Sequence, residues 1–215
     1  MSENLNISKL YHVDKKNIKA LEALLTECFE EDPLYKKLIP DEQRRKKLLP
    51  ELFECDLEEL FSTCEIYADS KALNGMIVVC DETRSYNKFK IFLEEMHAYF
   101  KTNHYLIKED PSLKTFYNFI IGKDYLNSKW TEEIHKDNRL HIIYLAVRPS
   151  MQHHGISSQL IEAVLEYAQE RKLVVSLETH NEQNVKFYEN FGFQLFEIVE
   201  KHFNLKQYCL VYNLT

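Results

Sequence analysis

The chain has 215 residues, of which 45% are hydrophobic and 28% charged, with a formal net charge of −7. That length suffices for one compact α/β domain with a sizeable core, and the acidic balance argues against a nucleic-acid footprint while leaving room for a cationic acceptor. No apolar run approaches the roughly 20 residues that span a bilayer, no signal peptide is evident, and the cysteines Cys28, Cys55, Cys64, Cys80 and Cys209 have no CxxC spacing, so the expectation is a cytoplasmic protein with buried free thiols and no membrane partner.

In chain order, Leu5 to Val13 reads as a first strand, and Asp14 as the cap of a helix whose residues Ile18, Leu21, Leu25 and Cys28 share one face. Phe29 to Pro40 reads as a break, and its acidic run Glu30-Glu31-Asp32 either attracts a cationic substrate or is a surface loop, the loop being favoured. A longer helix follows to about Ser62, kinked or split at Pro50. Arg44-Arg45-Lys46-Lys47 at its start reads as a solvated face. Cys64–Ala68 and Gly75–Cys80 form a strand pair across Asp69-Ser70-Lys71. Asp81 to Asn138 carries two helical patterns, Lys88–Lys101 and Pro111–Gly122, the second with Asp110 as cap and Pro111 in its first turn. The aromatics Phe116, Tyr117, Phe119, Tyr125 and Trp130 of this segment either line a pocket or pack it onto a sheet, packing being favoured.

Leu140 to Val147 is an apolar run stopped by Arg148-Pro149, and from Ile156 the apolar positions Leu160, Ile161, Val164, Leu165 and Ala168 have helical spacing. Between them lies Gln152-His153-His154-Gly155-Ile156-Ser157. A helix start aims its unpaired N–H groups and the positive end of its dipole into such a loop, and Gly155 lets backbone approach a ligand. A pyrophosphate suits it. Adjacent His153 and His154 diverge and no Cys or carboxylate completes a ligand set, so no metal is expected. Leu173 to Thr179 reads as a buried strand ending in Glu178. Asn181 then caps a helix that Gly192 terminates, and Gln194–Val199 and Gln207–Asn213 close the fold as an antiparallel pair.

The Gln152-x-x-Gly155-x-Ser157 cradle and the string Asn184-x-x-x-Tyr188-x-x-x-Gly192-Phe193 together resemble the acyl-CoA-binding core of the GCN5-related N-acetyltransferases, the GNAT family. The string Leu-Glu-Thr at Leu177–Thr179 is similar to the branch containing puromycin N-acetyltransferase. The resemblance implies a single-domain mixed α/β fold over residues 1–215: a central sheet of six to seven strands flanked by helices, with a helical insertion (about 81–138) between the third and fourth strands. It implies acetyl-CoA as acyl-donor substrate, no metal, and a primary amine of a small molecule or peptide as acceptor. It also implies roles. Tyr188 protonates the departing thiolate, and backbone of Leu145, Ala146 and Val147 meets the thioester oxygen. Glu178, at the strand end, either orients or deprotonates the amine or is a solvated carboxylate or the partner of a nearby N–H. Gln152, His153, His154, Gly155, Ile156, Ser157 and Ser158, with Asn184 and Tyr188, hold the cofactor. Ser157 stands where the family has a smaller residue, adding a Cβ and a hydroxyl. The alternative reading is a catalytically weak or inactive GNAT-fold module that binds acyl-CoA or a protein. A homodimer is compatible with either.

Overall fold

The structure is a computed structural model in which residues 7–83, 101–134 and 138–212 are described. Their strands form one seven-stranded mixed sheet: β1 (Tyr11–His12), β2 (Glu65–Ala68), β3 (Gly75–Asp81), β4 (Arg139–Val147), β5 (Val174–Thr179), β6 (Gln194–Val199) and β7 (Gln207–Tyr212), in the order β1-β2-β3-β4-β5-β7-β6. Only β4 and β5 run parallel, joined by a crossover helix.

Helices cover both faces. On one lie α1 (Ile18–Phe29), α2 (Pro33–Leu38), α3 (Glu42–Thr63), a helix α4 seen over residues 101–109, and α5 (Lys114–Leu126). On the other lie α6 (Ile156–Arg171) and α7 (Glu182–Glu189). Two apolar clusters result, one per face: Leu21, Leu25, Leu48 and Phe53 belong to the first, and Leu160, Ile161, Val164 and Tyr188 to the second. Gly75 sets how closely α6 approaches the sheet, because a Cβ there would lie 2.4 Å from Ile156 Cγ2.

Several sequence expectations need correction. Among the described residues the first strand covers only Tyr11–His12, since Leu10 N donates to Ile7 O and the chain turns there; Leu5 and Asn6 lie outside the described residues. Asp14 precedes a short 3-10 turn (Lys15–Asn17) and makes no side-chain capping bond. The break at Phe29–Pro40 contains α2, started by Asp32, whose carboxylate accepts from Leu34 N, and by Pro33 at the first helical position. Pro50 does not split α3. Arg45 is not solvated: it is buried, its Nε donating to Glu30 O at 2.7 Å and its Nη1 to Ile39 O at 2.9 Å, which caps the ends of the two preceding segments. The α5 helix begins at Lys114, after Asp110, whose buried carboxylate instead accepts from Thr115 N and pairs with Arg44 at 2.7 Å. Cys64 and Cys80 stand opposite one another at the ends of β2 and β3 and are disulfide-bonded, while Cys28, Cys55 and Cys209 are free thiols. The helical pattern at Lys88–Lys101 lies almost wholly outside the described residues.

No described helix is long and apolar enough to cross a membrane.

Candidate active site

The site begins with a bulge in β4. Val78 pairs with Tyr144 but Val79 pairs with Ile142, so Ile143 is an extra residue. A bulge reverses the alternation of a strand and bends it. Leu140 and Ile142 face the α6 side before it; Leu145 and Val147 face that side after it, while Tyr144 and Ala146 face α1 and α3. Pairing with β5 stops at Ile142↔Leu177. Beyond that point β4 and β5 part, leaving a wedge-shaped opening between them.

One edge of the wedge is unpaired backbone. Arg148 N donates to Asn74 O across β3, so by antiparallel alternation Ala146 also bonds toward β3 while Leu145 and Val147 turn their N–H groups toward the opening. Val147 O, turned the same way, accepts from Gln152 Nε2 at 3.3 Å and from Cys28 Sγ at 3.3 Å. Of the three residues expected to meet the thioester oxygen, Leu145 and Val147 have suitable backbone and Ala146 does not.

At the start of α6 the loop takes left-handed conformations at His153 (φ 64°) and Gly155 (φ 79°). Nothing lies within 4 Å of the place a Gly155 Cβ would occupy, so the space above the first helical turn is open to a ligand. Leu145, Val147, Gln152, His153, Ser157 and Tyr188 are among the residues around a groove of about 320 Å³. This groove has helix-start N–H groups at one end, which suit an anion, and strand backbone at the other. Ile156 lines it too, while His154 is exposed, held by Nδ1 to Gln152 O at 2.8 Å, and Ser158 lies outside the lining.

A second cavity of about 180 Å³ opens on the other side of Tyr188, sharing Leu145, Asn184 and Tyr188 with the groove. Glu178, Asp32, His180, Ser128 and Tyr144 are on its wall. Tyr188 sits where the two meet. It is buried, and its hydroxyl makes no hydrogen bond among the described residues. Burial pushes its pKa well above the ordinary tyrosine value, so it carries its proton at neutral pH. Asn181 caps α7 by accepting from Gln183 N, Gly192 ends that helical segment at φ 89°, and Asn184 Nδ2 donates to Thr179 Oγ1 at 3.2 Å.

Glu178 is held from three directions. Trp130 Nε1 donates to Oε2 at 3.0 Å, Ser128 Oγ donates to Oε1, and His141 Nε2 lies 3.3 Å from Oε2. Burial alone would raise this carboxyl's pKa; His141, Ser128 and Trp130 outweigh it and hold the group below the ordinary carboxylate value. His141 is a core histidine whose Nδ1 meets Ser176 Oγ at 2.8 Å. Burial lowers His180 to about 4, leaving a neutral ring against Tyr125.

The acetyltransferase (GNAT) family model matches residues 19–193. The chain belongs to the GNAT family. It is an acyltransferase, of a family that normally takes acetyl-CoA as its acyl donor. No curated protein sequence matches it. Similar solved structures include a histone acetyltransferase HPA2 and related acetyltransferase from Corynebacterium glutamicum, at 16% identity and TM-score 0.62 over 94% of each chain. An N-acetyltransferase from Staphylococcus aureus matches at 15% identity and TM-score 0.59, over 94% of this chain and 98% of the other. The ribosomal-protein-S18-alanine N-acetyltransferase from Escherichia coli matches at 9% identity and TM-score 0.53, over 94% of this chain and 91% of the other. At these identities the likeness is one of fold.

Trp130 is buried, Tyr125 is buried with its hydroxyl 2.9 Å from His202 O, Phe119 lines a cavity, and Tyr117 is exposed. Ser128 and Trp130 as partners of Glu178 have no sequence signal, because the contacts join residues 48 or more positions apart across an irregular loop.

Proposed function

We propose that the protein is an N-acetyltransferase that moves an acetyl group from acetyl-CoA to a primary amine of a small molecule or peptide, working as one domain by direct attack in a ternary complex. The observation that carries this is the place of Tyr188, a buried, protonated hydroxyl with no hydrogen bond among the described residues, at the junction of the groove beside α6 and an acidic cavity.

The loop from Gln152 to Ser157 and the first turn of α6 hold the pyrophosphate through backbone N–H groups. Positioning both reactants in the wedge supplies several kcal/mol of the acceleration. Leu145 and Val147 offer N–H groups to the carbonyl oxygen as negative charge develops on it. The amine attacks the thioester carbon once deprotonated; Glu178 orients it or takes its proton, directly or through water. Tyr188 gives its proton to the departing sulfur, a transfer of the kind worth roughly 10²–10⁴-fold. The bond formed is the amide and the bond broken is the C–S bond.

Ser157 favours one rival, a module that holds acyl-CoA weakly and acts through a protein. Calorimetric titration with acetyl-CoA, free CoA and a long-chain acyl-CoA separates the two. Micromolar binding of acetyl-CoA with turnover on an amine panel supports the transferase; absence of binding to any of them contradicts it.

A further inference from the structure

The acidic cavity does not end at Ile143. A further cavity of about 310 Å³ continues from it and shares Tyr35, Leu126, Ile143 and Tyr144 with it. Its floor is α3. There Asp56 accepts from Tyr144 Oη at 2.8 Å, and Tyr144 Oη lies 3.5 Å from Tyr35 Oη. This chain of hydroxyls occupies Oδ2 and leaves Oδ1 without a hydrogen bond among the described residues. Glu59 is on the same wall.

Two features make this cavity a binding place and not a packing defect. Its polar groups are the Asp56 and Glu59 carboxylates and the hydroxyls of Thr102, Tyr35 and Tyr144, set among aromatic and aliphatic side chains, and no lysine or arginine lines either cavity among the described residues. Burial also pushes the Asp56 carboxyl up to about 6, the mark of a group that lacks a cationic partner and gains by acquiring one. The aromatic rings of Tyr35 and Tyr144 suit the same occupant, because π faces attract a desolvated ammonium.

We propose that this cavity is a subsite for a distal cation of the acceptor, so that the substrate class is an α,ω-diamine: one amine at Tyr188 and Glu178, the other held by Asp56 under Tyr144. The inference rests on the transferase reading and names its substrate class.

The test is calorimetric titration of the acetyl-CoA-treated protein with diaminobutane through diaminooctane, each against the n-alkylamine of equal length, followed by turnover assays on the same amines. The expected result is about tenfold tighter binding or more for the best diamine over its monoamine, as for a hydrogen-bonded buried charge. In Asp56→Asn that ratio falls toward one. The wild-type ratio needs no variant, so poor folding of Asp56→Asn does not remove the test. Equal affinity of every diamine and its monoamine overturns the subsite, and so does a ratio unchanged in a folded Asp56→Asn. If acetyl-CoA binds and monoamines turn over without diamine preference, the subsite fails and the transferase stands. If neither acetyl-CoA nor any amine binds, the transferase reading fails and takes the subsite with it.

Discussion

Trp130 Nε1 donates to Glu178 Oε2 at 3.0 Å, which ties the segment between β3 and β4 to the carboxylate at the end of β5. The orientation and ionisation of Glu178 therefore depend on a residue from outside the acyl-CoA core. Trp130→Phe keeps the ring and removes the donor, so it raises the Glu178 pKa back toward the ordinary carboxylate value. The acid limb of kcat/KM against pH moves up with it. Because Glu178 ionises more readily folded than unfolded, its contribution to stability is present above the ordinary carboxylate pKa and is lost as pH falls through the lower folded value. The variant loses about 1.5–3 kcal/mol at neutral pH, measured by denaturant unfolding, and shows a smaller further loss in acid.

Asp56 has the opposite sign. Its carboxyl is raised from 3.8 to about 6, so the folded chain holds the extra proton between those values and stability falls as pH rises through them. At neutral pH the ionised group is a liability in the ligand-free protein. Asp56→Asn therefore stabilises by about 1–2 kcal/mol, the gain reduced by the cavity's contact with solvent. Thermal unfolding at pH 7 and again in acid checks this: the increase in Tm is present at pH 7 and fades in acid.

Gly155 adopts φ +79° with open space beyond its Cα. Gly155→Ala costs about 1 kcal/mol of stability from backbone strain alone, and its methyl group enters the open space that the proposed pyrophosphate site needs. Acetyl-CoA affinity falls about tenfold or more while the amine preference of the residual activity is retained, as calorimetry and amine competition will show. By contrast, Gly75→Ala meets Ile156 Cγ2 at 2.4 Å, displaces the start of α6, and costs about 1–3 kcal/mol.

The elements from β4 to α7 are legible because they are local. The strand before Arg148-Pro149, the helix from Ile156, the Asn181 cap and the Gly192 terminus are each set by neighbours within one or two turns, and the structure has all four. What escaped sequence reading is non-local. Ile143 looks like any β-branched strand residue, and only the register with Val78 and Val79 makes it the bulge that opens the wedge. Arg45 shares a basic run with its neighbours, yet the carbonyls of Glu30 and Ile39 draw it inside. Asp32 sits in an acidic run that favours a surface loop, but as the N-cap of α2 it is carried to the wall of the acidic cavity, where burial raises its carboxyl to about 6. Cys64 and Cys80 lack any motif spacing and meet through strand register alone.

The central claim is that the buried hydroxyl of Tyr188 supplies the proton for thiolate departure, and single-turnover acetyl transfer by Tyr188→Phe tests it most directly. Acetyl-CoA binding stays within about threefold of wild type and the rate constant for transfer falls by roughly 10²-fold or more, with the loss relieved when a better thiol leaving group replaces CoA. A variant that binds acetyl-CoA and transfers at the wild-type rate would contradict it.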